Sequence, residues 1–237
     1  HNETAIAIHR ANHPRTNHFR TDVFEVDPIL ATGGQPVGLL WASPDCRHFS
    51  KAKGAKPVSK KVRSLAWVVI RWARQTLPRI IMLENVEEFQ DWGPLGDDCR
   101  PVKSEKGRTF KAFVAALGGG VVPGHPDIPA ILSAIGPHVT EDDLVRGLGY
   151  DVEWQVRVAA NAGTPTIRKR LFLIARRDGE PIIWVKPKFH ATPKNGQPAW
   201  RQVWECLDFS DLGKSIIDER LVENSNRRVV RGFWKHV

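Results

Sequence analysis

Two short apolar runs, "PVGLLWAS" at 36–43 and "RIIML" at 79–83, flank one amphipathic segment, "SLAWVVIRWARQ", at 64–75. That pattern constrains the fold more than any other feature of the chain. Each run is continuous, four to eight residues long and bounded by turn residues, which predicts a strand buried on both faces. Between them, Leu65, Val68, Val69 and Trp72 share one helical face, and Pro78 ends the helix because it cannot donate a backbone hydrogen bond. Strand, helix and strand in this order predict an α/β fold with a mostly parallel sheet.

The rest of the chain extends the pattern. Residues 3–11 predict a short helix stopped by "NHP", and "HFRTDV" at 18–23 predicts a short strand. "RTFKAFVAAL" predicts a helix with Phe110, Phe113, Val114 and Leu117 on its buried side. Residues 118–143 read as an insertion, a Gly/Pro loop followed by the short helix "AILSAIG". "YDVEWQVRV" and "RLFLIARR", joined by "ANAGTPTIRK", predict an antiparallel pair at the sheet edge. Residues 186–202, rich in Pro, Lys, Asn and Gly, predict an irregular surface segment, and "NSNRRVVRGFWKHV" a closing helix. The domain reading is a core over 1–185 with 118–143 inserted, then 186–237 as an irregular segment and helix.

Composition narrows the function. The 237 residues carry a net charge of +9, which favours an anionic partner and nucleic acid first. Three cysteines, Cys46, Cys99 and Cys206, are too few and too widely spaced for a disulfide framework or a zinc site, and imply a reducing, cytoplasmic setting with no metal. No run reaches the ~18 apolar residues of a membrane-spanning helix.

The first apolar run leads into a turn, "SPDCRHFS", and then a loop with Lys51, Lys53, Lys56, Lys60 and Lys61. The second ends at Glu84 and Asn85. Ligands of open parallel sheets bind at the carboxyl ends of strands, so a thiol and a carboxyl at two such ends could meet one substrate. Arg47 and His48 beside Cys46 would favour its thiolate. Arg168 and Arg170 alternate along a predicted strand, on one side of it, and could hold a carbonyl, carboxylate or phosphate. The blander reading makes Cys46 a buried thiol, Glu84 a surface carboxylate and the arginines a solvated face.

"SPDCRHFS", "LENVEEF" and "GTPTIRKRLFLIA" resemble, in order, three signature motifs of the cytosine-5 DNA methyltransferases. The 38 residues from Cys46 to Glu84 fit the family spacing. "NET" at 2–4 resembles its acidic ribose-binding motif, and "TDV" at 21–23 its adenine-side Asp motif. The resemblance spans roughly residues 2–178 and implies a Rossmann-like fold that uses S-adenosylmethionine. It implies Cys46 as the nucleophile at cytosine C6, Glu84 at the N3 and amino edge, Arg168 at O2, Arg170 positioning Glu84, and Asn85 fixing the strand-end turn. Glu3, Asp22 and Pro44 would face the cofactor. Ser50, Lys51, Lys53 and Lys56 would contact double-stranded DNA, the base being rotated out of the duplex.

The chain departs from the family pattern in three places. Asp45 stands between Pro44 and Cys46, Thr166 occupies the region of a common glutamine, and no Gly-rich motif precedes Glu3. The expectation is a fragment or one half of a split bacterial or phage enzyme. A second polypeptide would then supply base recognition, and this chain alone would bind cofactor poorly. An RNA cytosine-5 methyltransferase with the same motifs is the alternative, followed by a non-catalytic DNA- or partner-binding remnant. A Cys46/His48 hydrolase is disfavoured because nucleophile and base normally come from separate elements.

Overall fold

The computed structural model describes residues 3–45, 64–208 and 210. Four strands form one sheet: β1 (Leu39–Ala42), β2 (Ile80–Asn85), β3 (Asp151–Val158) and β4 (Lys169–Arg176), in the spatial order β1-β2-β4-β3. β1 and β2 run parallel, with Leu40 opposite Ile81 and Ala42 opposite Leu83. β4 enters antiparallel to β2, with Glu84 opposite Phe172 and Asn85 opposite Leu171, and pairs antiparallel with β3. The sheet is therefore mixed. One pairing is parallel and two are antiparallel, because the chain returns through a hairpin after the β1–β2 crossover.

Among the described residues six α-helices accompany it: α1 (Glu3–Asn12), α2 (Pro28–Thr32), α3 (Trp67–Thr76), α4 (Arg108–Leu117), α5 (Ile128–Ile135) and α6 (Glu141–Arg146). α2 begins where Asp27 accepts the Ile29 and Leu30 N–H groups, with Pro28 in its first turn. α3 ends at Leu77, which takes a left-handed φ of 45° immediately before Pro78, its N–H closing onto the Ala73 carbonyl. α6 opens on a capping box between Thr140 and Asp143.

Strand alternation divides the sheet. Ile81 and Leu83 of β2 and Leu171, Leu173 and Ala175 of β4 face α3, α4 and α5 and are fully buried. Phe89, Trp92, Phe110, Phe113 and Trp67 pack there as one aromatic cluster, with Trp67 and Trp92 centroids 4.7 Å apart. The stretch 118–143 contributes Ile128, Ile131 and Ile135 to this same core.

Three features differ from the sequence expectations. β1 is not buried on both faces: it lies at the edge, so Leu40 and Ala42 pack inward while Leu39 and Trp41 stay more than half exposed. "HFRTDV" is not a strand. The Asp22 carboxylate accepts the Phe24 N–H at 3.1 Å and its carbonyl accepts the Glu25 N–H at 2.9 Å, which bends the chain into an Asx turn. The deepest residues of α3 are Ile70 and Ala73, one position round from the expected face. The closing helix expected at 224–237 lies outside the described residues.

Candidate functional site

The candidate site is built at the end of β2. Period-2 alternation sends Asn85 to the helix-covered side and Glu84 to the opposite, half-open side. A buried amide needs partners, and Asn85 has them. Its Nδ2 donates to the Pro44 carbonyl at 3.0 Å, and its Oδ1 accepts the Val86 N–H at 2.9 Å. The first bond ties the tip of β2 to the chain leaving β1, two residues before Cys46, and the second fixes the turn after β2. Asn85 thus fastens two strand ends together, more than the local turn expected of it.

On the other side, the Arg170 Nε lies 2.8 Å from the Glu84 carboxylate. Glu84 pairs with Phe172 across the ladder, so Arg170 is its diagonal neighbour on the same face, within reach of a long side chain. An Nη of Arg170 also donates to the Lys169 carbonyl at 2.7 Å, which fixes the guanidinium plane. Glu84 retains 27% side-chain exposure and Arg170 19%, so the pair is half-buried but open to a ligand. Lys169 adds a longer contact, 3.7 Å, to Glu87.

Arg168 stands differently. β4 begins only at Lys169, because the Thr164–Thr166 turn carries Pro165 and breaks the ladder. Arg168 precedes the strand and is exposed; its carbonyl accepts the Ala159 N–H at 2.9 Å. The expected alternation along a strand therefore holds only for Arg170.

Glu3 and Asp22 are expected at the cofactor. Glu3 is ion-paired with Arg20, and Asp22 sits in the turn described above. The buried guanidinium of Arg71 on α3 donates to the Phe24 carbonyl and anchors that turn. Val23, next to Asp22, joins Trp41, Pro44, Asp45, Val68 and Trp72 in lining a cleft of about 460 Å³. The apolar face expected on the helix after the lysine loop is thus the wall of a cleft. This volume lies in the range of small-molecule sites, about 300–1,000 Å³. Its apolar, aromatic walls suit a planar heterocycle, and the carboxylate of Asp45 on its rim suits a ligand's donors, so the residues present fit an adenosine-containing cofactor.

A larger cavity of about 680 Å³ lies between Asp22, Phe24, Trp67, Trp92, Thr109 and Asp127. It includes neither Pro44 nor Glu84. The smaller cleft, which shares Pro44 with the Asn85 clasp, is the one joined to the strand tips.

Cys46, Ser50, Lys51, Lys53 and Lys56 lie outside the described residues. Two links had no sequence signal strong enough to find them, Asn85 to Pro44 and Arg20 to Glu3; they join residues 41 and 17 positions apart, beyond any local pattern. Among the described residues no group of three His, Cys, Asp or Glu is arranged to hold a metal, and no helix is long and apolar enough to cross a membrane.

Residues 1–92 match the family described as C-5 cytosine-specific DNA methylase. The type II methyltransferase M.SacI of Streptomyces achromogenes is 25% identical over 190 residues, covering 75% of this chain and 38% of that protein. M.Sau3AI of Staphylococcus aureus, also a type II methyltransferase, is 25% identical over 159 residues, 66% of this chain and 29% of its own length. The chain thus spans about a third of these curated relatives. Among solved structures, the Dnmt2 methyltransferase of S. pombe superposes with a TM-score of 0.52 at 13% identity, over 96% of this chain and 55% of that one, which shows a shared fold. Both strand tips, with Pro44 and Glu84, fall inside residues 1–92, over which the chain is similar to the C-5 cytosine-specific DNA methylases.

Proposed function

We propose that this chain carries the base-binding and methyl-transfer site of a DNA cytosine-5 methyltransferase. The observation that carries the reading is the tip of β2. There one residue, Asn85, holds the approach to Cys46, and its neighbour, Glu84, is held by Arg170 on the open face.

That pairing suits the chemistry. Cytosine C5 is too weak a nucleophile to take a methyl group directly. The Cys46 thiolate forms a bond to C6, and the ring's π electrons move toward C5 and N3. Glu84, at the N3 and amino edge, protonates or hydrogen-bonds N3 as charge builds there. Arg170 keeps the Glu84 carboxyl aimed, and Arg168 steadies O2. Val23, Trp41 and Pro44 of the smaller cleft would hold S-adenosylmethionine, with Glu3 and Asp22 as the carboxylates for its adenosine, and the cofactor would supply an electrophilic methyl group there. Loss of the C5 proton to a base then breaks the C6–S bond and restores the thiolate of Cys46. The target carbon is stacked inside a duplex, so the base must leave the helix to reach Glu84. Lys51, Lys53 and Lys56 contact the phosphates, with Ser50 at the head of that loop.

The test is transfer of labelled methyl from S-adenosylmethionine by the protein expressed from its complete reading frame, offered duplex DNA and structured RNA in parallel. Label at cytosine C5 of DNA, lost in Cys46→Ser, is expected. Label in RNA alone would assign the other substrate, and no label in either would end the reading.

A further inference from the structure

After β4 the chain runs back along β3. The Trp184 indole donates to Glu153 at 2.6 Å, an Nη of Arg157 donates to the Val185 carbonyl, and the N–H groups of Lys188 and Phe189 converge on the Asn161 carbonyl at 2.9 and 3.1 Å. The three anchors climb β3 from Glu153 to the β3–β4 turn. They end where β2 finishes and β4 starts, at the end of the sheet that holds Glu84 and Arg170. A second clasp follows. The Trp200 indole donates to Asn161 Oδ1 at 2.9 Å, the His190 N–H donates to the Pro198 carbonyl while the His190 carbonyl accepts the Trp200 N–H around an exposed loop, and Lys194 closes its tip onto Gln197. The Phe189 ring lies so close to Gly163 that a Cβ there would come within 2.7 Å of it. Gly163, at a φ of 96°, is thus required twice.

Between Glu180 and Glu205 this strap contains no carboxylate, and it carries Lys186, Lys188, Lys194 and Arg201. Arg201 pairs with Glu205 at 3.3 Å. The three lysines are exposed and make no ion pair among the described residues. Three exposed ammonium groups without a carboxylate partner, on a backbone pinned at two places, suit a polyanion. A base entering the site beside Glu84 would bring its flanking phosphates past this end of the sheet.

We infer that the strap 186–201 is a second contact surface for the phosphate backbone of duplex DNA, separate from the lysine loop at 51–61, with Lys186, Lys188 and Lys194 as its charges. The inference rests on DNA being the substrate, and its test is binding rather than turnover. Fluorescence anisotropy of a labelled duplex, titrated with the full protein over a series of KCl concentrations, gives the slope of log K against log salt. The triple variant Lys186→Gln, Lys188→Gln, Lys194→Gln should fold as wild type by circular dichroism. Its slope should be shallower by about 2–3 units, since each neutralised phosphate contributes about 0.9. Glu84→Gln, with the strap intact, should keep the wild-type slope. A triple variant whose slope equals that of wild type overturns the inference even if methyl transfer is intact. A shallower slope upholds it even if the protein transfers no methyl group. A loss confined to duplex RNA assigns the strap to a different partner and also overturns it.

Discussion

The two faces of the sheet treat neighbouring residues in opposite ways. On the helix-covered face, Ile81, Leu83, Leu171 and Leu173 are completely buried, and the one polar residue that β2 places there, Asn85, has both its amide groups bonded. On the other face Ile80, Met82 and Glu84 are only half-covered, and the Glu84–Arg170 pair keeps access to the outside. A polar group survives on the closed side only as a fully satisfied structural tie. On the open side it keeps the freedom to exchange a protein partner for a ligand. One residue step along β2 therefore separates a residue that holds the site from a residue that can act in it.

The largest effect should come from the closed face. Phe113, fully buried in the aromatic cluster, should lose about 3–5 kcal/mol of stability as Phe113→Ala, measured by urea unfolding. A loss below about 1 kcal/mol would mean that this face is not a packed core.

Asn85→Ala comes next. It leaves the Pro44 carbonyl and Val86 N–H without their partner, at about 1–3 kcal/mol for each group that stays buried. It should also release Pro44, detected as faster amide hydrogen exchange in residues 39–45. Wild-type stability and exchange would break the comparison at its polar residue.

Glu84→Gln is the contrast. A half-exposed ion pair contributes about 0–1 kcal/mol, so unfolding should barely change. Methyl transfer by the complete protein should fall about 10²–10⁴-fold. Equal losses of folding in Glu84→Gln and Asn85→Ala would erase the difference between the faces.

The smallest effect lies away from the sheet. Burial alone would raise the Asp143 pKa, but hydrogen bonds from Thr140 and Arg74 overcome it and hold the carboxyl at about 2. A depressed carboxylate stabilises the fold above its unfolded value of 3.8. That contribution fades as pH falls toward about 2. Asp143→Asn should flatten this part of the acid-unfolding curve and leave the open-face residues unaffected. An unchanged acid limb would remove Asp143 from the account.

What the sequence made legible follows the same division. The strand–helix–strand unit and the helix of Phe110 and Phe113 were readable because burial imposes a period on apolar residues. The edge position of β1 was not, since Leu39 and Trp41 are as apolar as buried strand residues and only the neighbouring strands decide exposure. Glu84 and Arg170 were legible as motif residues, but their ion pair depends on the β2–β4 register, which local pattern does not contain. The turn at Asp22 was misread as a strand because its Asx bond outweighs the extended preference of its neighbours. The tie from Asn85 to Pro44 spans 41 residues and has no sequence period at all.

The central claim is that the open-face tip of β2 serves a cytosine bound covalently to Cys46. Its most direct test is trapping by duplex DNA that carries 5-fluorocytosine, where fluorine at C5 blocks the final elimination. The complete protein, given S-adenosylmethionine, should yield a denaturation-resistant protein–DNA adduct. The adduct should be absent in Cys46→Ser, formed more slowly in Glu84→Gln, and unaffected by substitution of Cys99 or Cys206. An adduct that persists in Cys46→Ser, or one that never forms although methyl transfer proceeds, would contradict the account.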